Sequence, residues 1–295
     1  MADGDRWLDV QVGGRTIEAV ILGPPGALPL VYHGGTPSAA VVYRPLAEAA
    51  LEQGLSFLTT SRPGYARSTP QRGRSVADVA ADTAAVLDAV GAGSFLTLGW
   101  SGGGPHALAC AALLPDRCRA AATLAGVAPF RAGFDWMAGM APENVDEFGA
   151  AVAGEEPLTS FLESAAGVLA GVGGDDIAAS LGELASEVDR SALTGAFAEY
   201  LAESIRRSLS TGIAGWRDDD LAFVKDWGFP LDVISIPVAT WQGDQDRMVP
   251  FSHSRWLAGA VAGARAHLCS GEGHLSLWES RIAEVVADLA ALPRA

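Results

Sequence analysis

The chain reads as an α/β protein, with a mostly parallel sheet of eight strands, helices on both faces and a helical insertion. Three observations predict this. Short apolar runs of strand length alternate with segments of helical period up to about residue 126. From about Arg131 to Phe229 the patterns are helical and no strand is convincing. Strand character then returns at Ile236. Strands alternating with helices make βαβ units, whose parallel sheet needs helical cover on both sides. The length of 295 residues is enough for a large core, here 1–130 with 231–295, and an insertion at 131–230.

The elements follow in order. Trp7 to Val12 and Thr16 to Leu22 alternate in polarity about Gly13-Gly14, as an antiparallel hairpin at the sheet edge should. Leu28 to Tyr32 is a strand ending in His33-Gly34-Gly35-Thr36-Pro37, and a helix over about Val42 to Gln53 stops at Gly54. Leu55 to Thr60 is a strand that enters the turn Arg62-Pro63-Gly64-Tyr65. Ser75-Val76-Ala77-Asp78 starts a helix in capping-box fashion, with apolar residues at Val76, Val79, Ala80, Val86, Leu87 and Val90. Phe95 to Leu98 is a buried strand, Ala107 to Leu114 a helix and Ala120 to Leu124 a strand. Inside the insertion, helices are expected over Val145–Val152, Leu158–Leu169, Ile177–Val188 and Leu193–Leu209, with starts at Pro157 and Ser191. Strands at Ile236–Trp241 and Ala266–Cys269 flank a short helix over His253–Val261, and an amphipathic helix over Ile282–Leu292 ends the chain.

Composition narrows the partners. Apolar residues make up 49% and charged residues 19%, as in a globular protein, and the net charge of −15 repels phosphate backbones and anionic membranes. A small-molecule substrate is therefore expected, with neither nucleic acid nor a membrane as partner; the oligomeric state is left open. Cys110, Cys118 and Cys269 have neither metal-ligand spacing nor a disulfide framework. The acidic opening, Met1 to Arg6, lacks the regions of a signal peptide, and no apolar run is long enough to span a bilayer. A cytoplasmic setting is the expectation.

The chemistry is expected around Gly99-Trp100-Ser101-Gly102-Gly103, which lies between a strand and a helix. Gly-x-Ser-x-Gly in that context fits a nucleophile elbow, a tight turn that holds the serine in a strained conformation. A serine hydroxyl needs an adjacent base, itself oriented by an acid, and both should follow the serine in loops at the same sheet edge. His274, between Gly271 and Gly273, and Asp246 or Asp244 stand after the last two strands. His33, His106, His253 and His267 are expected to have loop, packing, surface or strand roles. An oxyanion needs donors, and the N–H of Gly102 and of the Gly34-Gly35-Thr36 turn suit that task.

Together these residues resemble the α/β-hydrolase superfamily over nearly the whole chain. The resemblance rests on His33-Gly34-Gly35-Thr36-Pro37, Arg62-Pro63-Gly64-Tyr65-x-x-Ser68, Gly99-x-Ser101-x-Gly103, Gly243-x-x-Asp246-x-x-Val249-Pro250 and Gly273-His274. It implies the eight-stranded α/β-hydrolase sheet with a cap at 131–230, and Asp246 as the acid ahead of Asp244. It also implies an oxyanion donor at Gly35 or Thr36, with Gly-Thr-Pro favouring Thr36. The likeness to proline iminopeptidases is partial, because that group has His-Gly-Gly-Pro-Gly and Gly-Gly-Ser-Trp-Gly. The expected activity is hydrolysis of a small or medium acyl ester or thioester through an acyl-enzyme, with no metal or organic cofactor. The alternatives are amide, peptide or C–C bond cleavage with the same triad, and ligand binding on a hydrolase scaffold. Trp100, Trp136 and Met140 are expected to line the substrate pocket, and Met137, Phe161, Phe197, Tyr200 and Trp216 to roof it or to fill the core of the insertion.

Overall fold

A computed structural model describes residues 4–292, so the first three residues of the acidic opening and the last three of the chain lie outside it. The strands are β1 (Arg6–Val12), β2 (Arg15–Leu22), β3 (Pro29–His33), β4 (Ser56–Thr60), β5 (Phe95–Trp100), β6 (Cys118–Leu124), β7 (Val238–Gly243) and β8 (Arg265–Cys269). They form one eight-stranded sheet in the order β1-β2-β4-β3-β5-β6-β7-β8. β1 pairs with β2 and β2 with β4 antiparallel, and every pairing from β4–β3 onwards is parallel. The expected fold class and its antiparallel edge are therefore present.

Helices α1 (Arg44–Glu52), α2 (Val79–Ala89) and α3 (Gly104–Leu113) connect the early strands. Between β6 and β7 lie α4 (Pro142–Ala153), α5 (Glu155–Leu169), α6 (Ile177–Ser180), α7 (Glu187–Ala192), α8 (Gly195–Ser208) and α9 (Ala214–Phe223). Helices α10 (Phe251–Ala260) and α11 (His274–Ala291) complete the chain. Because successive strand residues face opposite ways, the sheet sorts its side chains into two cores. Leu30, Tyr32, Leu96 and Leu98 pack with Leu46 of α1 and Leu277 and Val285 of α11. Val31, Leu58 and Phe95 pack on the other face with Val86 of α2, Leu108 of α3 and Leu257 of α10. Among the described residues no helix is long and apolar enough to cross a membrane.

Four features depart from the sequence reading, the first being the helix start expected at Ser191, which lies inside α7 while α8 begins at Gly195. The helix expected over Ile177–Val188 is two short ones, because Gly182 takes a left-handed φ of 55° between them. Ser186 then caps α7 by accepting the N–H of Asp189. Helix α9 falls outside the four helices expected in this stretch, and its Asp218, Asp219 and Asp220 are all buried. The last helix begins at His274 and not at Ile282, and Leu275, Trp278 and Ile282 supply a buried stripe at helical spacing.

Candidate active site

Ser101 stands where β5 ends, and its φ of 55° places a non-glycine residue in the left-handed region. Such a residue costs on the order of 1–3 kcal/mol and persists only where its surroundings enforce it. The enforcing contacts are backbone on backbone. A Cβ on Gly99 would overlap the Gly103 carbonyl, and one on Gly103 would overlap the carbonyl of His33. A Cβ on Gly104 would lie 2.8 Å from Gly126 Cα, so glycine also lets α3 leave tightly past β6.

His274, the first residue of α11, is buried, and its Nδ1 lies 2.8 Å from Asp246 Oδ2. Three other donors hold the carboxylate. Asp246 Oδ1 accepts the N–H groups of Met248 and Val249, each at 2.8 Å, and Oδ2 accepts Gln242 Nε2–H at 2.8 Å. A carboxylate held this way accepts from Nδ1–H and leaves Nε2 as the basic nitrogen. Burial alone lowers the His274 pKa, but the Asp246 charge, the hydrogen bond to it and the Asp189 charge together raise it above the usual imidazole value. The rival acid Asp244 is occupied elsewhere, accepting from Ser270 Oγ and Gly271 N at 2.8 Å each. Among the described residues no hydrogen bond joins Ser101 to His274, and the two meet as walls of one cavity.

The loop after β3 is held from behind. Arg62 Nη1–H donates to Gly34 O and Nη2–H to Gly35 O, each at 2.7 Å, and Ser38 Oγ–H also donates to Gly35 O. In a trans peptide the N–H points opposite the carbonyl. Tying back these two carbonyls therefore turns the N–H groups of Gly35 and Thr36 to the other side. Arg62 is in turn fixed by Asp219 of α9 at 2.7 Å, and Asp219 also binds Arg74 at 2.7 Å, Tyr65 Oη–H at 2.8 Å and Thr36 Oγ1–H at 3.0 Å. Burial opposes the Asp219 charge, but the two guanidinium groups and His106 hold its carboxyl well below the usual range. His106, 3.4 Å from Asp219, is itself pushed down to about 4, chiefly by burial, and is a neutral ring at pH 7.

The cavity at Ser101 measures about 300 Å³ and lies between the sheet edge and the insertion. Gly35, Thr36, Trp100, Ser101 and His274 line it from below, and Phe161, Tyr200 and Trp216 from the insertion. Trp100 stacks on Trp278 at 4.8 Å and lies 5.5 Å from the His274 ring, so it both lines the cavity and packs against that ring. Two pocket expectations need correction. Trp136 is turned away, with Nε1–H donating to Ala128 O at 2.6 Å and its ring against Phe148 and His253. Met140 packs in that same cluster, outside the cavity, and Phe197 is buried in the other core, 5.7 Å from the Tyr43 ring. Phe134 and Trp136 pack against His253 and Trp256 of α10, and none of residues 130–140 lines the cavity. His253 is buried rather than at the surface, bonding Ala128 N at 3.1 Å and Trp136 O at 2.8 Å. His33 does not organise its loop through its ring, whose recorded neighbour is Cys110 Sγ at 3.7 Å; His267 stacks on Trp241 in the strand. A larger recess of about 550 Å³ at the opposite ends of the strands holds one charged side chain, Arg6, and no nucleophile–base pair.

Sequence reading missed Asp219 and the carboxyl pair Glu147 and Asp220. The pair lines a side chamber of about 50 Å³ with Ser101, Gly102 and Thr36. Trp216 Nε1–H donates to Glu147 Oε1 at 2.6 Å. Burial raises both carboxyl pKa values, and for Asp220 the neighbouring Glu147 raises it further. The available signal was spacing: Trp216 and Phe223 lie three before and four after Asp219, marking that face of a helix as buried.

Comparison with known proteins agrees with this architecture. A family model described as "alpha/beta hydrolase fold" matches residues 29–280. A Bacillus subtilis (strain 168) protein named uncharacterized hydrolase YcgS is 35% identical over 105 residues, covering 35% of this chain and 36% of that one. Among solved structures, an α/β-hydrolase fold protein from Nakamurella multipartita superposes with a TM-score of 0.65 at 23% identity, over 98% of this chain and 99% of that one. The esterase EaEST from Exiguobacterium antarcticum gives 0.69 at 17% identity, over 98% and 100%. Carboxylesterase CesB (YbfK) from Bacillus subtilis gives 0.66 at 17%, over 99% and 92%. At these identities the likeness to solved structures is one of fold. The family match extends from β3 into α11, taking in every loop that carries Thr36, Ser101, Asp246 and His274, and the chain belongs to the α/β-hydrolase fold family.

Proposed function

We propose that the protein is a serine hydrolase that cleaves a small or medium acyl ester or thioester through an acyl-enzyme. The observation that carries the reading is the buried Asp246–His274 pair at 2.8 Å, facing the same cavity as the strained Ser101. Ser101 Oγ attacks the acyl carbon while His274 Nε2 takes its proton, and the imidazolium returns that proton to the leaving alcohol or thiol. Water, deprotonated by the same nitrogen, then releases the acid and restores Ser101. The N–H of Gly102 and that of Thr36 or Gly35 stabilise the oxyanion, from a loop already braced by Arg62. A space of about 300 Å³ with an aromatic roof suits a compact acyl group. The test is fluorophosphonate labelling together with turnover of p-nitrophenyl esters of increasing acyl length, on the parent and on Ser101→Ala.

The pH profile is a second check. The base works only as neutral imidazole, and its pKa is raised. For an uncharged ester, kcat/KM is therefore expected to climb along an acid limb with its midpoint above pH ~6.5 and to level off above it. A parent midpoint at or below that value would show that burial outweighs the Asp246 and Asp189 charges at His274.

A second reading keeps the triad and cleaves an amide whose acyl part bears a free amine, as an aminopeptidase does. The carboxyl pair favours it. Asp220 is 1% exposed, and its carboxyl meets that of Glu147 with no N–H donor on either oxygen among the described residues. Burial, and for Asp220 also Glu147, disfavours charge on the pair, and an ammonium group beside Ser101 would supply the counter-charge that a carboxylate there lacks. Alanine p-nitroanilide and its N-acetyl derivative distinguish the two readings. A preference for the free amine of about tenfold or more that disappears in Asp220→Asn supports the amide reading; indifference to the amine leaves the ester reading.

A further inference from the structure

Helix α11 begins at His274 without a capping side chain of its own, because the preceding residue is Gly273. Its first turn is nevertheless capped. Asp189 of α7, in the insertion, accepts the N–H groups of Leu275 at 2.7 Å and Ser276 at 3.0 Å through Oδ1. The carboxylate is wholly buried, and its other oxygen accepts from Ser186 N at 3.2 Å and Ser186 Oγ at 2.8 Å. A Cβ on Gly273 would overlap Asp189 Oδ1, so the glycine before the histidine is the space in which this acid sits.

We propose that Asp189 is a positioning residue for His274, capping from the insertion the helix that presents the base and fixing a negative charge beside it. The inference rests on the reading of His274 as general base. An N-capping acid normally comes from the residue just before the helix, whereas this one comes from α7, 86 and 87 positions before the amides it caps. Seating of the insertion is thereby tied to placement of the base. The charge also matters. Helix N-termini disfavour a cation, and a buried carboxylate at the same end offsets this. The Asp189 charge acts in the same direction as that of Asp246, raising the His274 pKa against burial. The other titratable or charged groups near His274 are Glu143, Glu147 and Tyr200 across the cavity and Glu272 on its own loop, which is bonded to Ser276 and Ser280.

Asp189→Asn removes the charge and keeps an Oδ1 acceptor for the α11 amides, while its Nδ2 gives up the acceptor that Ser186 N–H and Oγ–H use within α7. Two readouts are taken on the full chain: the pH dependence of fluorophosphonate labelling of Ser101, and an NMR titration of the His274 ring, which needs no turnover. The Asn variant is expected to lower both midpoints by about 0.5–1 unit with KM for a p-nitrophenyl ester unchanged. Asp189→Ala, which loses the cap as well, is expected to lose a further tenfold or so in kcat. Wild-type midpoints in a folded Asn variant would overturn the inference and leave Asp189 as a structural cap. If the parent shows no labelling at all, the reading of His274 as base is what fails, and the NMR midpoint still decides whether Asp189 acts on the ring.

Discussion

Ser101→Ala is expected to lower kcat for p-nitrophenyl esters by about 10⁵–10⁶-fold and to abolish fluorophosphonate labelling, with the fold intact. The change removes one oxygen from a residue whose backbone is set by its neighbours. Alanine in place of serine at a φ of 55° keeps a Cβ in the same strained region, so the stability change is expected within about 1 kcal/mol. The oxyanion donors and the Asp246–His274 pair remain, and such remnants sustain on the order of 10³-fold catalysis over water. Parent and variant should therefore unfold at nearly the same urea concentration while differing by orders of magnitude in rate. Turnover within tenfold of the parent, or labelling that moves to another residue, would show that the nucleophile is not Ser101.

Much of the site was legible because its chemistry lies in loops whose glycines have steric reasons to be there. The strained turn at Ser101 requires Gly99 and Gly103, and both stand in the sequence as a recognisable spacing. Asp246 and His274 follow strands that can be read from their apolar runs, and the structure pairs them. The insertion was less legible. Its helices bury carboxylates, and burial of a charge depends on partners far along the chain, which no local pattern reports. Asp219 meets Arg62 across 157 positions, and Asp189 meets the amides of Leu275 and Ser276 across 86 and 87. The start of α11 was misplaced for the same reason. Gly271 and Gly273 suggested a loop around His274, because the capping group for the helix is supplied from another layer. The roles of Trp136 and Met140 depended on where the chain runs after β6, and side-chain type does not fix that direction.

The largest stability effect is expected at the contact between α9 and the loop after β3. Asp219→Asn keeps size and shape but removes the one charge that Arg62 and Arg74 share. Arg62 is 3% exposed, Arg74 5% and Asp219 0%, so both guanidinium groups would be left buried with too little counter-charge. Breaking a buried ion pair from one side costs about 3–5 kcal/mol, because the remaining charge is stranded away from water. Urea unfolding at pH 7 is expected to show a loss of that size. The pH lies in the right window. The Asp219 pKa is depressed, so its contribution is fully present above the unfolded carboxyl value near ~3.9 and fades only as pH falls through the lower folded value. Activity should fall as well, because Asp219 braces Arg62 and Thr36, and with them the loop N–H groups proposed as oxyanion donors. A displaced donor costs on the order of 10²-fold in kcat, with little change in KM, since the oxyanion exists only after attack. A variant as stable as the parent would show that the ion-pair cluster is worth no more than a neutral network. One that loses stability but keeps full kcat would separate the cluster from the oxyanion loop and leave it a purely structural tie.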